Sequence, residues 1–172
     1  MNRIKPAPRV TTRELTMLAI CTALLFGLQV ALASLPNIEV VTLLILLYTR
    51  WFGKKALWII YVFAGLEGLF YGFQIWWVMY LYVWTLLWLA ATRFGGRPRS
   101  AAFWAAVGGG FGLAFGFLCS FPYAAVSGVR AAFAWWIAGI PLDVVHGCGN
   151  FILILILYTP LDALYRKLEQ RP

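Results

Sequence analysis

The sequence predicts an all-α integral membrane protein: a single domain over residues 1–172, with six transmembrane helices in a compact bundle and both termini cytoplasmic. Three observations carry that prediction. The chain is 63% hydrophobic and only 12% charged, about half the charged share of a soluble domain. Apolar runs of ~20 residues recur from end to end, the length a helix needs to cross a bilayer. The cationic residues are also distributed unevenly between alternate connections, as described below.

The elements follow in order. Residues 1–13 are polar and basic, with Arg3, Lys5, Arg9 and Arg13, and Pro6 and Pro8 prevent an early helix. Thr11 or Thr12 caps helix 1, with Glu14 in its first turn. That helix spans 12–34 and is read as retained, not as a cleaved signal, because further spans follow at once. Ser34-Leu-Pro-Asn37 breaks it. Helix 2, over 38–52, is short for a span, so the preceding loop is expected to dip into the membrane region against other helices. Arg50, Gly53, Lys54 and Lys55 form a basic turn. Helix 3 covers 55–71, and helix 4 covers 74–92 after Gly72 and Gln74. The basic loop Arg93-Phe-Gly-Gly-Arg-Pro-Arg99 leads to helix 5 over 100–120, whose end Pro122 disturbs. Residues 123–138 read as a longer aromatic connection. Helix 6 covers 139–165, with Pro141 in its first turn, where a missing N–H costs nothing.

With the N-terminus inside, the inner segments hold four, three, three and three Lys or Arg residues, and the outer turns hold Arg130 alone. This is a strong positive-inside bias. It places Glu14, Asp162 and Glu169 on the cytoplasmic side, and Glu39, Glu67 and Asp143 in the outer parts of helices 2, 3 and 6. Acids at membrane depth are costly and mark functional sites. The net charge of +8 does not indicate nucleic acid, because the basic residues never form a patch interleaved with aromatics. Cys21, Cys119 and Cys148 lie in or beside apolar runs without CxxC spacing, so they read as small hydrophobes and not as disulfides or metal ligands.

Helix 6 carries the densest polar group. Asp143, His146 and Asn150 stand at i, i+3 and i+7 and share one face. His146 is the only histidine. With them the candidate pocket draws on Asn37 and Glu39 at the first outer turn, and on Glu67, Tyr71 and Gln74 at the second. Tyr80 and Trp84 on helix 4, and Tyr123 and Trp135 on the last connection, complete it. Aromatic walls with a few placed polar groups suit a small-molecule pocket. Bland alternatives stand beside this reading. Trp76, Trp77 and Trp136 fit interfacial belts. Glu67 fits a structural pair with His146, Asn37 fits a cap on helix 2, and Asp143 fits its own helix end. Catalysis is poorly supported, since the chain lacks a Gly-x-Ser-x-Gly elbow, a His-Glu-x-x-His motif, a Cys/His cluster and a Walker motif.

Two strips of small residues remain. Ala19, Ala23, Gly27 and Ala31 on helix 1 fit either packing within the bundle or docking of another membrane protein. Gly108, Gly112 and Gly116 on helix 5 fit packing within the bundle.

Three stretches resemble a known family. Ala19-Ile-Cys-Thr-Ala23 is similar to an Ala-x-x-x-Ala docking motif, Leu35-Pro-Asn-Ile-Glu39 to a first outer loop that lids and lines a site, and Gly139-Ile-Pro-Leu-Asp-Val-Val-His-Gly-Cys-Gly-Asn150 to the start of a sixth helix that contacts ligand. Together they resemble the S component, the substrate-binding membrane subunit, of energy-coupling factor (ECF) vitamin transporters of bacteria, and the likeness covers nearly the whole chain. It implies a subunit of the bacterial cell membrane that captures a vitamin or related small metabolite from outside and has no catalytic residue, metal or cofactor of its own. It further implies a transmembrane T component contacted by Ala19 and Ala23, with Gly27 on the same strip, and two cytoplasmic ATPases. Glu39, Tyr123, Asp143, His146 and Asn150 would hold the ligand. Asn150 resembles a ligand contact of the thiamine branch, whose other binding residues do not match in register. The aromatic content suits a flat heteroaromatic ligand, and the outer acids suit a cationic or amine-bearing one. The alternative is a tryptophan-rich sensory or translocator-type protein that binds porphyrin-like molecules, which would have five spans. A third reading is a structural membrane partner with no small ligand.

Overall fold

The computed structural model describes residues 11–170, so Arg3, Lys5, Arg9 and Arg171 lie outside the described residues. The chain folds into α1 (Thr12–Leu32), α2 (Val41–Phe52), a single 3-10 turn (Gly53–Lys55), α3 (Ala56–Tyr71), α4 (Ile75–Phe94), α5 (Ala101–Ser127) and α6 (Val129–Glu169), with no strand among the described residues. Four of these, α1, α4, α5 and α6, are long and apolar enough to cross a membrane. Helix length therefore supports four crossings and not the six expected, because α2 has 12 residues and α3 has 16. Large apolar side chains such as Ile20, Trp58, Leu69, Leu89 and Ile156 are exposed. A membrane-embedded protein covers such surface with lipid, whereas a soluble monomer seldom carries so much of it.

The shortest α-helix is the centre. Every residue from Val41 to Thr49 is buried, and α2 packs against α1, α3, α4, α5 and α6. A helix that is apolar all round belongs inside a bundle. Helices successive along the chain alternate in direction. The Lys55–Glu14 ion pair joins the starts of α3 and α1, Tyr61 on α3 meets Thr85 on α4, and Phe94 meets Phe103 across α4 and α5. One end of the bundle therefore collects Arg13, Arg50, Lys54, Lys55, Arg93, Arg97, Arg99, Arg166 and Lys167. At that end Asp162 takes Arg50 and Arg166, each at 3.0 Å, and the Trp51 indole N–H, while Trp51 stacks on Tyr165 at 4.2 Å. The opposite end holds the α5–α6 turn, with Arg130 just beyond it.

The expected 123–138 connection is helix instead. α5 continues through Pro122 to Ser127, Gly128 alone makes the turn, and α6 starts ten residues before its expected beginning at 139. Gly128 has φ 83°, where a side chain would be strained. Pro122 has no N–H to offer the carbonyl four residues earlier, Leu118. The Tyr82 hydroxyl donates to that carbonyl from α4, so the proline is accommodated without ending the helix. Pro141 likewise lies inside α6 and not in its first turn. Membrane helices tolerate such prolines where neighbours satisfy the freed backbone.

The glycine strip of α5 packs against α6, as its spacing implied. A Cβ on Gly108 would strike the Ile154 side chain, one on Gly112 would lie 2.8 Å from the backbone of Gly147, and one on Gly116 would strike the Asp143 carboxylate. The strip on α1 behaves oppositely. Ala19, Ala23, Gly27 and Ala31 are exposed, so they do not pack within this bundle. Cys148 is also exposed, whereas Cys119 is buried and Cys21 half-buried.

This packing makes a direct prediction. Gly112→Val forces α5 and α6 apart, because backbone atoms cannot yield as a flexible side chain can. It should cost about 1–3 kcal/mol, read as a lower thermal midpoint of the purified protein. Gly110→Ala, whose Cβ meets nothing within 4 Å, should leave the midpoint unchanged.

Candidate functional site

The site grows from the way α2 begins. Helix 2 was expected from residue 38 with Asn37 as its cap. It starts at Val41 instead, with Val40 at the N-cap position and no side-chain bond from that residue. Asn37 has φ 56°, a left-handed conformation that Asn tolerates better than most residues. The capping is done by Glu39. Its Oε2 accepts the Thr42 N–H at 2.9 Å, and its Oε1 accepts the Thr42 hydroxyl at 2.6 Å. A carboxylate at a helix N-terminus also meets the positive end of the helix dipole.

The same carboxylate reaches α6. Oε1 lies 3.1 Å from Nε2 of His146. Asn150, one turn further on, donates from Nδ2 to the Thr42 oxygen at 3.1 Å. His146 is 17 residues past the start of α6, roughly 25 Å along the helix. The end of the loop before α2 therefore meets α6 well along its length, while residues 33–36 and Ile38 stay exposed, and Glu39, Thr42, His146 and Asn150 form one buried network. Burial in low dielectric makes such a network strong when satisfied and costly where it is not.

Above the network lies a cavity of about 230 Å³. Its walls come from the end of α1 (Gln29, Leu32), the loop (Leu35 to Glu39), Tyr71, Tyr80, Trp84, Phe115 and His146. The aromatic rings form a continuous run. Tyr71 meets Trp76 at 6.4 Å, Trp76 meets Tyr80 at 5.3 Å, and Tyr80 meets Trp84 at 5.4 Å. Trp84 meets Phe115 at 5.6 Å, and Phe115 meets the imidazole of His146 at 4.8 Å. Two polar groups on these walls have no partner: Nε1 of Trp84 and Nδ1 of His146. Both belong to residues that border the cavity, although each atom is itself buried, and the described residues hold other such atoms elsewhere, among them Trp104 Nε1 and the Tyr158 hydroxyl. A second cavity, of about 680 Å³, opens at the basic end. Its Arg50, Asp162 and Arg166 already satisfy one another, so the smaller cavity is the candidate site.

The expected site residues divide. Asn37, Glu39, Tyr71, Tyr80, Trp84 and His146 line the cavity. Asn150 supports it from beneath through Thr42. Asp143 does not line it. Its Oδ1 accepts the Gly116 N–H at 3.0 Å, tying α6 to α5. Tyr123 and Trp135 do not line it either, but stack on each other at 4.6 Å near the α5–α6 turn. Gln74 sits at the N-cap position of α4, without a side-chain capping bond. Glu67 is buried beside the cavity walls without lining them, and its Oε1 has no partner. It does not pair with His146, whose carboxylate partner is Glu39. Sequence reasoning missed Thr42 and Phe115. Glu39-x-x-Thr42 is the spacing at which a capping side chain meets a backbone N–H, and that signal could have found Thr42. Nothing distinguishes Phe115 from the other apolar residues around it.

Thr42→Val should remove the hydroxyl that joins Glu39 to Asn150 and leave both with an unmet bond. The expected loss of stability is about 1–3 kcal/mol, measured by thermal unfolding, with Thr42→Ser close to the parent.

The chain matches no protein-family model, no curated protein and no solved structure.

Proposed function

We propose that this chain is the substrate-capturing S component of an ECF-type importer, a binding subunit and not an enzyme. It takes a vitamin or related small metabolite into the cavity beneath the loop of residues 33–40, and delivers it through a transmembrane T component driven by two ATPases. The observation that carries this reading is the cavity itself, whose walls are aromatic and whose floor is a buried network. A pre-formed pocket of this kind suits a small ligand with a flat ring. Glu39 adds negative charge at the floor, in keeping with an amine-bearing or cationic ligand.

In this reading all of α1–α6 cross the bacterial cell membrane. α2 and α3 are short because other helices surround α2 and because the loop before it descends into the bundle. Both termini and the basic end then face the cytoplasm, which accords with the positive-inside rule, and the cavity opens outward. The exposed strip Ala19, Ala23 and Gly27 becomes the docking face for the T component. Ala19 and Ala23 also border an apolar groove of about 520 Å³ between α1 and α3, lined further by Leu15, Leu18, Trp58 and Val62. Small residues allow close approach of a partner helix. Docking there lets the loaded subunit tip in the membrane and release its cargo inside.

Native mass spectrometry of the purified protein after exposure to a vitamin pool should reveal one retained metabolite. Glu39→Gln should reduce that retention. Ala19→Leu with Ala23→Leu should retain the metabolite yet lose co-purification with an ATPase pair. Absence of any retained compound, with no ligand-induced thermal shift, would support a purely structural membrane partner. Termini found on opposite sides of the membrane would favour a five-span, porphyrin-binding protein.

A further inference from the structure

We propose that the cavity at the basic end seats the phosphate of an anionic phospholipid, held by Arg50, Lys54 and Arg166. This is a different space from the cavity beside Glu39, and the proposal stands whether or not that one takes a metabolite.

Charge is the first ground. Among the described residues this end carries nine Lys and Arg side chains against Glu14, Asp162 and Glu169. Glu14 is taken by Lys55. Asp162 is saturated. Its Oδ1 accepts Arg50 Nε and the Trp51 indole N–H, each at 3.0 Å, and its Oδ2 accepts Arg166 Nε at 3.1 Å and Nη2 at 3.0 Å. A carboxylate offers about four acceptor positions, so this one has none left for a ligand. It also carries one negative charge between two guanidinium groups, and it neutralises only one of them. Asp162 therefore orients the pair and leaves a positive charge over. Lys54 lines the same cavity and forms no ion pair or hydrogen bond among the described residues.

Exposure is the second ground. The Arg50 and Arg166 side chains are 29% and 56% exposed, whereas Asp162 is 14% exposed. The cations are reachable and the acid that aligns them is covered. Each guanidinium carries more N–H donors than its bonds to Asp162 use, in a fork that matches phosphate oxygens.

The surroundings decide the class of anion. The cavity holds about 680 Å³, room for a headgroup. Trp51, stacked on Tyr165, and Trp104 line it, and such aromatics stand at headgroup level in membrane proteins. Leu164 and Leu168 are exposed on α6 beside the lining residues Tyr165 and Arg166, and Phe94 is exposed beside Gly95. An acyl chain can continue along that apolar surface, which a free phosphate would not use. Basic pockets between helices at a membrane face recognise lipid phosphates in this way. Glu169 also lines the cavity, forms no ion pair among the described residues, and opposes the phosphate.

Native mass spectrometry tests the site on the full chain, purified in detergent and mixed with equal amounts of phosphatidylglycerol and phosphatidylcholine. One phosphatidylglycerol should stay bound at collision energies that strip phosphatidylcholine. Lys54→Gln, which removes an exposed and unpaired side chain and so spares the fold, should weaken that retention about fivefold. Arg50→Gln combined with Lys54→Gln should weaken it further. Arg93→Gln with Arg99→Gln removes two cations from the same end without touching the cavity lining, and retention should stay at the parent level. Glu169→Gln should raise it. Equal retention of the two lipids overturns the proposal. So does an equal loss in the two double variants, because the charge of the whole end would then be the cause. A fall with Glu169→Gln overturns it as well, since an acid would then be holding the headgroup. Displacement of the bound lipid by millimolar inorganic phosphate would assign the cavity to a soluble phosphate and overturn the lipid as its occupant.

Discussion

One carboxylate joins the parts of this protein that would otherwise be independent. Glu39 ends an irregular loop, caps the central helix through Thr42 and meets His146 on the longest helix. An isolated carboxylate at this depth would be expensive to bury. Here two donors from Thr42 and the imidazole of His146 satisfy it, and Asn150 completes the set. The cost of leaving any of these groups alone holds the end of the loop against α6, and the loop so held forms one wall of the cavity. The short length of α2 follows from the same constraint, since the chain is still loop where a full span would already be helix.

The α5–α6 pair supplies the rigid wall on which that network rests. Glycines on α5 and Gly147 on α6 bring the two backbones into direct contact, and Asp143 bonds across to the Gly116 N–H. Lipid offers apolar helices little reason to associate, so close backbone packing and interhelical hydrogen bonds carry more of the task than in water. α5 continues through Pro122 and α6 through Pro141 and Pro160, and at Pro122 the reason is visible: Tyr82 satisfies the carbonyl that the proline leaves free. At the other end, Asp162 gathers Arg50, Trp51 and Arg166, so both ends of α2 are joined to α6.

Much of this was legible in the sequence. Apolar runs, the cap at Thr11, the glycine spacing on α5 and the polar face of α6 are all local patterns, and local patterns survive into the structure. Of the residues expected at a site, Asn37, Glu39, Tyr71, Tyr80, Trp84 and His146 border one cavity. Tyr123 and Trp135 were misplaced for one reason. Proline and aromatic content suggested a connection over 123–138, whereas a hydroxyl from another helix satisfies the carbonyl that Pro122 leaves free and the chain turns at Gly128 alone. A single sequence does not display such a partner, because Tyr82 and Leu118 are far apart along the chain.

By itself, then, the sequence determined that the chain is helical and membrane-embedded, where its charge accumulates, and which polar residues had to find partners. Those properties follow from composition and from spacing along one helix. Only the tertiary structure decided which partners they found. It paired His146 with Glu39 and not Glu67, turned Asp143 toward Gly116 and away from the cavity, and left the α1 strip exposed while burying the α5 strip. Each choice depends on which helix faces which and at what depth, and that register is set by the packing of all the helices around α2.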